Sequence, residues 1–302
     1  MNAEARNGAI ATASAAVLWG TSFPATKWAL PYFGDAMFFG AVRISFAAVL
    51  AVALLRMLKK PDWGMFRDPL IWVLGLTNAL GIALQNYGLW FTTASKTVLL
   101  VDINVVIVAA LSYFFLKERF GIRKAAAVVC GIAGVVLLTY NSDIVIRQEQ
   151  LPGDILVFLS GCSYAVFIVT MKKVVGRIEP FDASVAAITT SAIFMMIPCA
   201  VMIPLGMMDP RIDADGIAPM LYLGLVCTTM AYYFWAYGLR RLSATSSSVI
   251  LLLEVVAGLL LSITLLRESL SGFAVLGAIF IIAAIILVSS DERQVINEMR
   301  IS

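Results

Sequence analysis

Apolar positions in this chain neither alternate nor form narrow stripes; they run. Stretches of roughly twenty residues recur along nearly the whole length, each matching the ~30 Å of hydrocarbon that a helix crosses at about 1.5 Å per residue. Segments 122–140 and 273–289 are apolar on every face, unlike the ~10-residue alternating strands of a membrane barrel. The pattern predicts helical spans at 8–30, 36–58, 69–91, 95–116, 122–140, 153–175, 182–205, 217–240, 245–266 and 272–290. Turn chemistry separates them: Pro31 and Gly34, Pro61 with Asp62, Gly121, Pro152-Gly153, Glu179-Pro180, and the polar run from Asp209-Pro210 to Gly216. The first span is too long for a signal peptide and lacks an Ala-x-Ala exit, so it is expected to be retained. The expected class is an all-α integral membrane protein of ten transmembrane helices.

Composition strengthens this reading. The 302 residues are 61% hydrophobic and 14% charged, and mean hydropathy is +0.92, outside the range of soluble domains. The formal net charge of +3 says less than its distribution. With the N-terminus inside, sixteen Lys or Arg fall on cytoplasmic segments, in clusters such as Arg56-Lys59-Lys60-Arg67 and Lys117-Arg119-Arg123-Lys124. Five fall outside: Lys27, Lys96, Arg147, Arg211 and Arg267. That bias predicts cytoplasmic termini in a multi-pass protein of the plasma membrane. Cys130, Cys162, Cys199 and Cys227 lie inside spans without metal-ligand spacing and read as small packing residues.

The chain also repeats itself. A shift of 150 superimposes Tyr87-Gly88-Leu89 on Tyr237-Gly238-Leu239, Ala94 on Ala244, Leu111-Ser112 on Leu261-Ser262 and Glu118 on Glu268. A shift of 145 aligns Gly8 with Gly153, Trp19 with Tyr164 and Lys27 with Lys172, and the difference is assigned to connecting loops. The expected domains are a first five-helix repeat over 1–145, a second over 146–290 and a cytoplasmic tail over 291–302. Five spans per half is an odd number, so the second half is expected to enter the membrane inverted. LKERFGIRK after span 4 is charge-rich and its counterpart LLRESLSG after span 9 is not, which agrees.

VLWGTSFPATKWAL in span 1, the arginine in AVRISFAAVL of span 2, LKERF closing span 4 and LEVVAGLLLSITLLRES in span 9 resemble the EamA-type branch of the drug/metabolite transporter superfamily. The resemblance covers essentially the whole chain. It implies a ten-helix exporter or exchanger of amino acids, nucleotide precursors, sugars or related metabolites, with a cavity lined by spans 1, 3, 4, 6, 8 and 9. That family often has proline after the positions of Asn104 and Glu254. Here Val105 and Val255 stand there, so the sequence supplies no proline kink.

Polar side chains inside hydrocarbon cost a few kcal/mol each and need an account. Glu254 lies near the middle of span 9, and its repeat partner Asn104 is equally deep from the opposite side. The pair is either a binding site or an interhelical hydrogen bond. Arg43 in span 2 and Asp102 in span 4 sit roughly 10 Å from the outer ends of their spans. Matched depth makes them a candidate ion pair, structural or gating. Asn78, Ile82 and Gln85 share one face of span 3, and Thr228, Tyr232 and Trp235 the corresponding face of span 8. The two stripes are expected to face each other across the cavity, with Trp19 and Tyr164 as aromatic walls. The candidate substrate-binding set is therefore Trp19, Asn78, Gln85, Asn104, Tyr164, Thr228, Tyr232, Trp235 and Glu254. A bound ammonium would suit Glu254 and the aromatic faces. Lys27, Lys96 and Lys172 are expected to snorkel at span ends. Glu118 and Glu268 are expected to bridge locally or to touch a neighbouring loop.

The absence of histidine from the sequence removes imidazole-based triads, relays and metal sites. Asp102 and Glu254 read as unequal in depth, unlike the paired acids of an intramembrane protease, and no Gly-rich phosphate loop occurs. The chain reads as a non-enzyme without cofactor or metal. Its expected partners are a small-molecule substrate, such as an amino acid, and the lipid bilayer, not nucleic acid, with protons as the candidate coupling ion through Glu254 or Asp102. A passive channel, a membrane scaffold and an intramembrane enzyme are the alternatives.

Overall fold

A computed structural model describes residues 3–58, 62–89, 91–92, 94–139, 148–266 and 272–301. It is helical throughout, with no strand among the described residues. In order the helices are α1 Ala3–Ala29, α2 Ala36–Leu58, α3 Pro69–Leu89, α4 Ala94–Asp102, α5 Asn104–Phe115, α6 Ile122–Thr139, α7 Leu151–Val175, α8 Pro180–Met202, α9 Ile217–Tyr222, α10 Ala231–Arg241, α11 Ala244–Leu251, α12 Leu253–Leu266 and α13 Gly272–Ile301. A π-helix, Leu223–Met230, joins α9 to α10 as one rod. Among the described residues, nine helical stretches are long and apolar enough to cross a membrane. They do not include α1, whose 27 residues carry Arg6, Asn7, Thr12, Ser14 and Thr21. Helix α13 continues past the expected end at residue 290.

Spans 4 and 9 break despite having no proline. α4 gives way to α5 at Ile103, and α11 to α12 at Leu252. At each break ψ relaxes, to −16° at Ile103 and −14° at Leu252. Bonds three residues apart form there: Val106 N–H to Ile103 C=O at 3.0 Å, beside the longer Ile107 N–H bond to the same carbonyl at 3.4 Å, and Val255 N–H to Leu252 C=O at 3.2 Å. With Val105 and Val255 in place of proline, the helices are interrupted by short 3₁₀-like turns that remove no N–H.

Helix pairing follows an exchange rule. α1 packs on α10 and α12, while α7 packs on α3, α4 and α5. α2 pairs with α8, and α6 with α13. Glycines set the closest crossings. A Cβ at Gly238 would stand 2.7 Å from the Gly8 carbonyl oxygen and against Thr12, and one at Gly153 would stand 2.7 Å from that of Gly88. The glycines matched by the internal repeat are thus contact partners in crossed pairs, where missing side chains let backbones approach. Outside, large apolar groups face outward: Phe114 is 71% exposed, Val129 69% and Val49 68%. Water would not tolerate such a continuous apolar surface, and lipid does.

Candidate transport site

The polar stripes of α3 and α10 meet directly. Tyr232 Oη donates to Asn78 Oδ1 at 3.1 Å, and Asn78 Nδ2 donates to Ser191 Oγ of α8 at 2.8 Å. Ser184 Oγ reaches the Tyr232 carbonyl at 3.1 Å. Trp19 contacts Tyr232 edge-on, ring centres 5.7 Å apart, and Trp235 at 6.0 Å. Trp235 stacks on Phe167 of α7 at 5.3 Å. Asn78 and Trp235 are each 1% exposed, Thr228 2% and Tyr232 8%. These four residues are buried in contacts between helices here, and do not line open space. Ser191 and Phe167, which complete the cluster, carried no sequence signal, because a serine or phenylalanine in a membrane helix is ordinary.

The remaining candidates are partly exposed: Trp19, Arg43, Gln85, Asn104, Tyr164 and Glu254. Tyr164 Oη donates to Gln85 Oε1 at 2.9 Å. Glu254 lies in electrostatic range of Asp102 and Tyr164. No hydrogen bond joins Asn104 to Glu254 among the described residues.

The expected Arg43–Asp102 ion pair is not formed. Arg43 Nε donates instead to Thr228 Oγ1 at 3.2 Å, and Asp102 Oδ2 is buried without a hydrogen-bond partner among the described residues. The reason is lateral. α2 packs on α8 and the π-helix, whereas α4 packs on α6 and α7, so equal depth does not make them neighbours. Trp235 Nε1 is another buried polar atom without a hydrogen-bond partner among the described residues, as are the hydroxyls of Ser45, Ser112 and Ser160.

Thr228 owes its direction to the π-helix. Gly75 of α3 packs on Thr190 of α8, and Gly224 packs on Phe46 of α2 as the equivalent crossing. Gly75 and Gly88 are thirteen residues apart, but Gly224 and Gly238 are fourteen. The π-helix absorbs that extra residue, so one of the repeat's register differences lies inside a helix and not in a loop. Within it, Thr228 and Thr229 hydroxyls bond the Leu223 and Gly224 carbonyls five residues back, each at 2.9 Å.

Both ends of the bundle carry polar links between the repeats. Lys96, expected to snorkel, is 5% exposed. It bonds Asp154 at 3.1 Å and Gln150 at 2.8 Å on the second repeat, while Thr92 also donates to Asp154. Asp154 shows no apolar-run anomaly at a span end, so the sequence did not flag it. Glu118 Oε1 accepts from Ala244 N–H at 2.6 Å, and Oε2 from Thr245 Oγ1 at 3.1 Å, at the start of α11, where a carboxylate complements the free N–H groups. Lys172 donates to the Leu239 and Leu242 carbonyls at 2.7 and 2.6 Å, closing the end of α10 in place of snorkelling. Arg267, Glu268 and the Lys27 side chain lie outside the described residues. A pocket of about 310 Å³ lies between α1 and α10, lined by Asn7, Ile10, Ser14, Tyr233 and Tyr237 among others, and contains none of the candidate residues.

Membrane-length helices in two exchanged sets, with polar groups buried between them, define a multi-pass membrane protein. The sequence profile of the EamA-like transporter family matches residues 6–140 and again residues 151–290, and the chain belongs to that family. It is similar to the uncharacterized transporter YwfM of Bacillus subtilis, 27% identical over 93% of each chain. It is also similar to an uncharacterized transporter of Archaeoglobus fulgidus, 24% identical over 92% of this chain and 97% of the relative. Protein PecM of Dickeya dadantii is 26% identical over 90% and 88%. One crystal structure of a protein shares the fold, with a TM-score of 0.78 over 95% of this chain and 98% of that one at 16% identity. The chain is a multi-pass membrane transporter.

Proposed function

We propose that the protein is a secondary transporter, exporting or exchanging a small polar or amphipathic metabolite such as an amino acid. In this reading α1 is the tenth crossing, residues 1–145 and 146–290 form oppositely inserted halves, and both termini, with the tail 291–302, face the cytoplasm at the plasma membrane. Rocking of the halves exposes the site to one side and then the other. One observation carries the reading: among the described residues Asp102 Oδ2 and Trp235 Nε1 are buried without hydrogen-bond partners, in a chain whose sequence puts Glu254 near the middle of a span. Each such group costs several kcal/mol in hydrocarbon unless something polar comes to it.

Glu254, with the faces of Trp19 and Tyr164, suits an ammonium group. Gln85 orients Tyr164, and Asn104 supplies a further amide near the broken helix. Glu254 or Asp102 carries the proton if transport is proton-coupled. The polar links at the two ends, Lys96–Asp154 and Glu118–Ala244, are the contacts that rocking must open in turn.

The test is counterflow in proteoliposomes over a panel of amino acids and amines, with Glu254→Gln beside the wild type. Saturable exchange that Glu254→Gln abolishes, in a protein that still inserts and melts normally, supports the reading. Unsaturable flux would make it a channel, and wild-type exchange with unchanged pH dependence in Glu254→Gln would remove that carboxylate from the mechanism.

A further inference from the structure

We propose that Arg43 is the anion-binding pole of this transport site, held by Thr228 so that it selects solutes bearing a carboxylate. The inference rests on the transporter reading above and adds a second pole to it. Arg43 lies in the eighth position of α2, inside the membrane-spanning stretch. Among the described residues its only hydrogen-bond acceptor is Thr228, through Nε, and no carboxylate stands within 4 Å. A guanidinium keeps its charge even when buried, so unlike a lysine it cannot escape hydrocarbon by losing a proton. It needs an anion, and no carboxylate among the described residues pairs with it.

The surroundings look built for one that arrives. Because Nε is committed to Thr228, the two terminal nitrogens remain as a planar fork, the geometry that grips a carboxylate with two parallel bonds. Thr228 is itself fixed: its hydroxyl hydrogen goes to the Leu223 carbonyl, which turns a lone pair toward Arg43. That direction depends on the extra residue in the π-helix, because one residue more or less turns a helix by about 100°. The equivalent position in the first repeat, Asn78, spends its polar atoms on Ser191 and Tyr232 and meets no cation. Only the second repeat carries the device.

Tyr164 relates the two poles. It lies in electrostatic range of both Arg43 and Glu254, and its hydroxyl is drawn aside to Gln85. A solute beside Tyr164 can therefore place an anionic end at Arg43 and a cationic end at Glu254. That chemistry describes a zwitterion such as an amino acid, and disfavours a simple amine or a neutral sugar.

The experiment is phenylglyoxal labelling of full-length protein in detergent, with the rate at Arg43 read by peptide mass spectrometry. The probes are a mixture of L-amino acids and the matched mixture of their decarboxylated amines. Slowing of Arg43 labelling by the amino acids and not by the amines, with other arginines unaffected, is the expected result. In Thr228→Val, half-protection should require about tenfold more amino acid, the size of one hydrogen bond to a charged donor, and Thr228→Ser should restore it. Equal protection by amines, no protection by amino acids, or unaltered protection in a normally melting Thr228→Val overturns the proposal. Loss of counterflow in Glu254→Gln with no protection at Arg43 would leave the transporter reading standing and remove this pole. Protection without any counterflow would do the reverse.

Discussion

Helix α3 and the α9–π–α10 rod occupy equivalent places in the two repeats and solve one packing problem with different numbers of residues. Each crosses two neighbours at glycines, Gly75 on α8 and Gly88 on α7 in the first, Gly224 on α2 and Gly238 on α1 in the second. The second fits an additional residue between its crossings by widening into a π-helix. As a result Asn78 turns into a buried hydrogen-bond chain, whereas Thr228 turns toward a charge. A duplicated scaffold thus keeps its contact points and diverges between them. Close backbone crossings tolerate no change, and the stretch between them tolerates a local change of helix type.

The largest expected effect comes from removing that extra residue. Deleting Val226 should force Gly224 off Phe46 or Gly238 off Gly8, a loss on the order of 4 kcal/mol or more. It should show as failure to purify as a monodisperse species or as a collapsed melting transition. A normal melt would mean that the π-helix compensates for nothing.

Gly238→Ala and Gly88→Ala should each cost about 1–3 kcal/mol by overpacking, because the new Cβ meets Thr12 and Gly8 in one case and stands 2.6 Å from Val157 in the other. Gly272→Ala, where nothing lies within 4 Å, is the control. Unequal losses at Gly238 and Gly88 in thermal melts would break the equivalence of the crossings.

Asn78→Ala removes the bonds to Ser191 and Tyr232, and about 1–2 kcal/mol of stability should go with them. Thr228→Val should melt closer to wild type while altering anion protection, which sharpens the contrast between a packing residue and a positioning residue. Smallest of all, Glu118→Ala should cost about 1 kcal/mol, as for a lost helix cap. Hydrogen exchange at Ala244 and Thr245 should rise locally, and unchanged exchange there would mean that the carboxylate does not cap α11.

Much of this was legible beforehand because the bilayer is a demanding solvent. A segment that must cross it has to be helical, about twenty residues long and apolar, so span positions could be read by inspection and lie close to the observed helices. Gly8, Gly88, Gly153 and Gly238 could be matched through the internal repeat. The breaks at Ile103 and Leu252 could not, because a 3₁₀ turn needs no proline and leaves no residue signature. Burial of Lys96 was equally hidden, since its partner Asp154 lies 58 positions away at the end of another span.

What the sequence settles alone is whatever is one-dimensional. Length, apolarity and repeat offset count residues along an axis, and so does the depth of Arg43, Asp102 or Glu254. The tertiary structure decides which groups at similar depth are neighbours, because that depends on how the helices are ordered around the bundle and rotated about their own axes. Depth made Arg43 and Asp102 a plausible pair. The packing of α2 on the π-helix, and of α4 on α6 and α7, gave Arg43 to Thr228 and kept Asp102 apart from it.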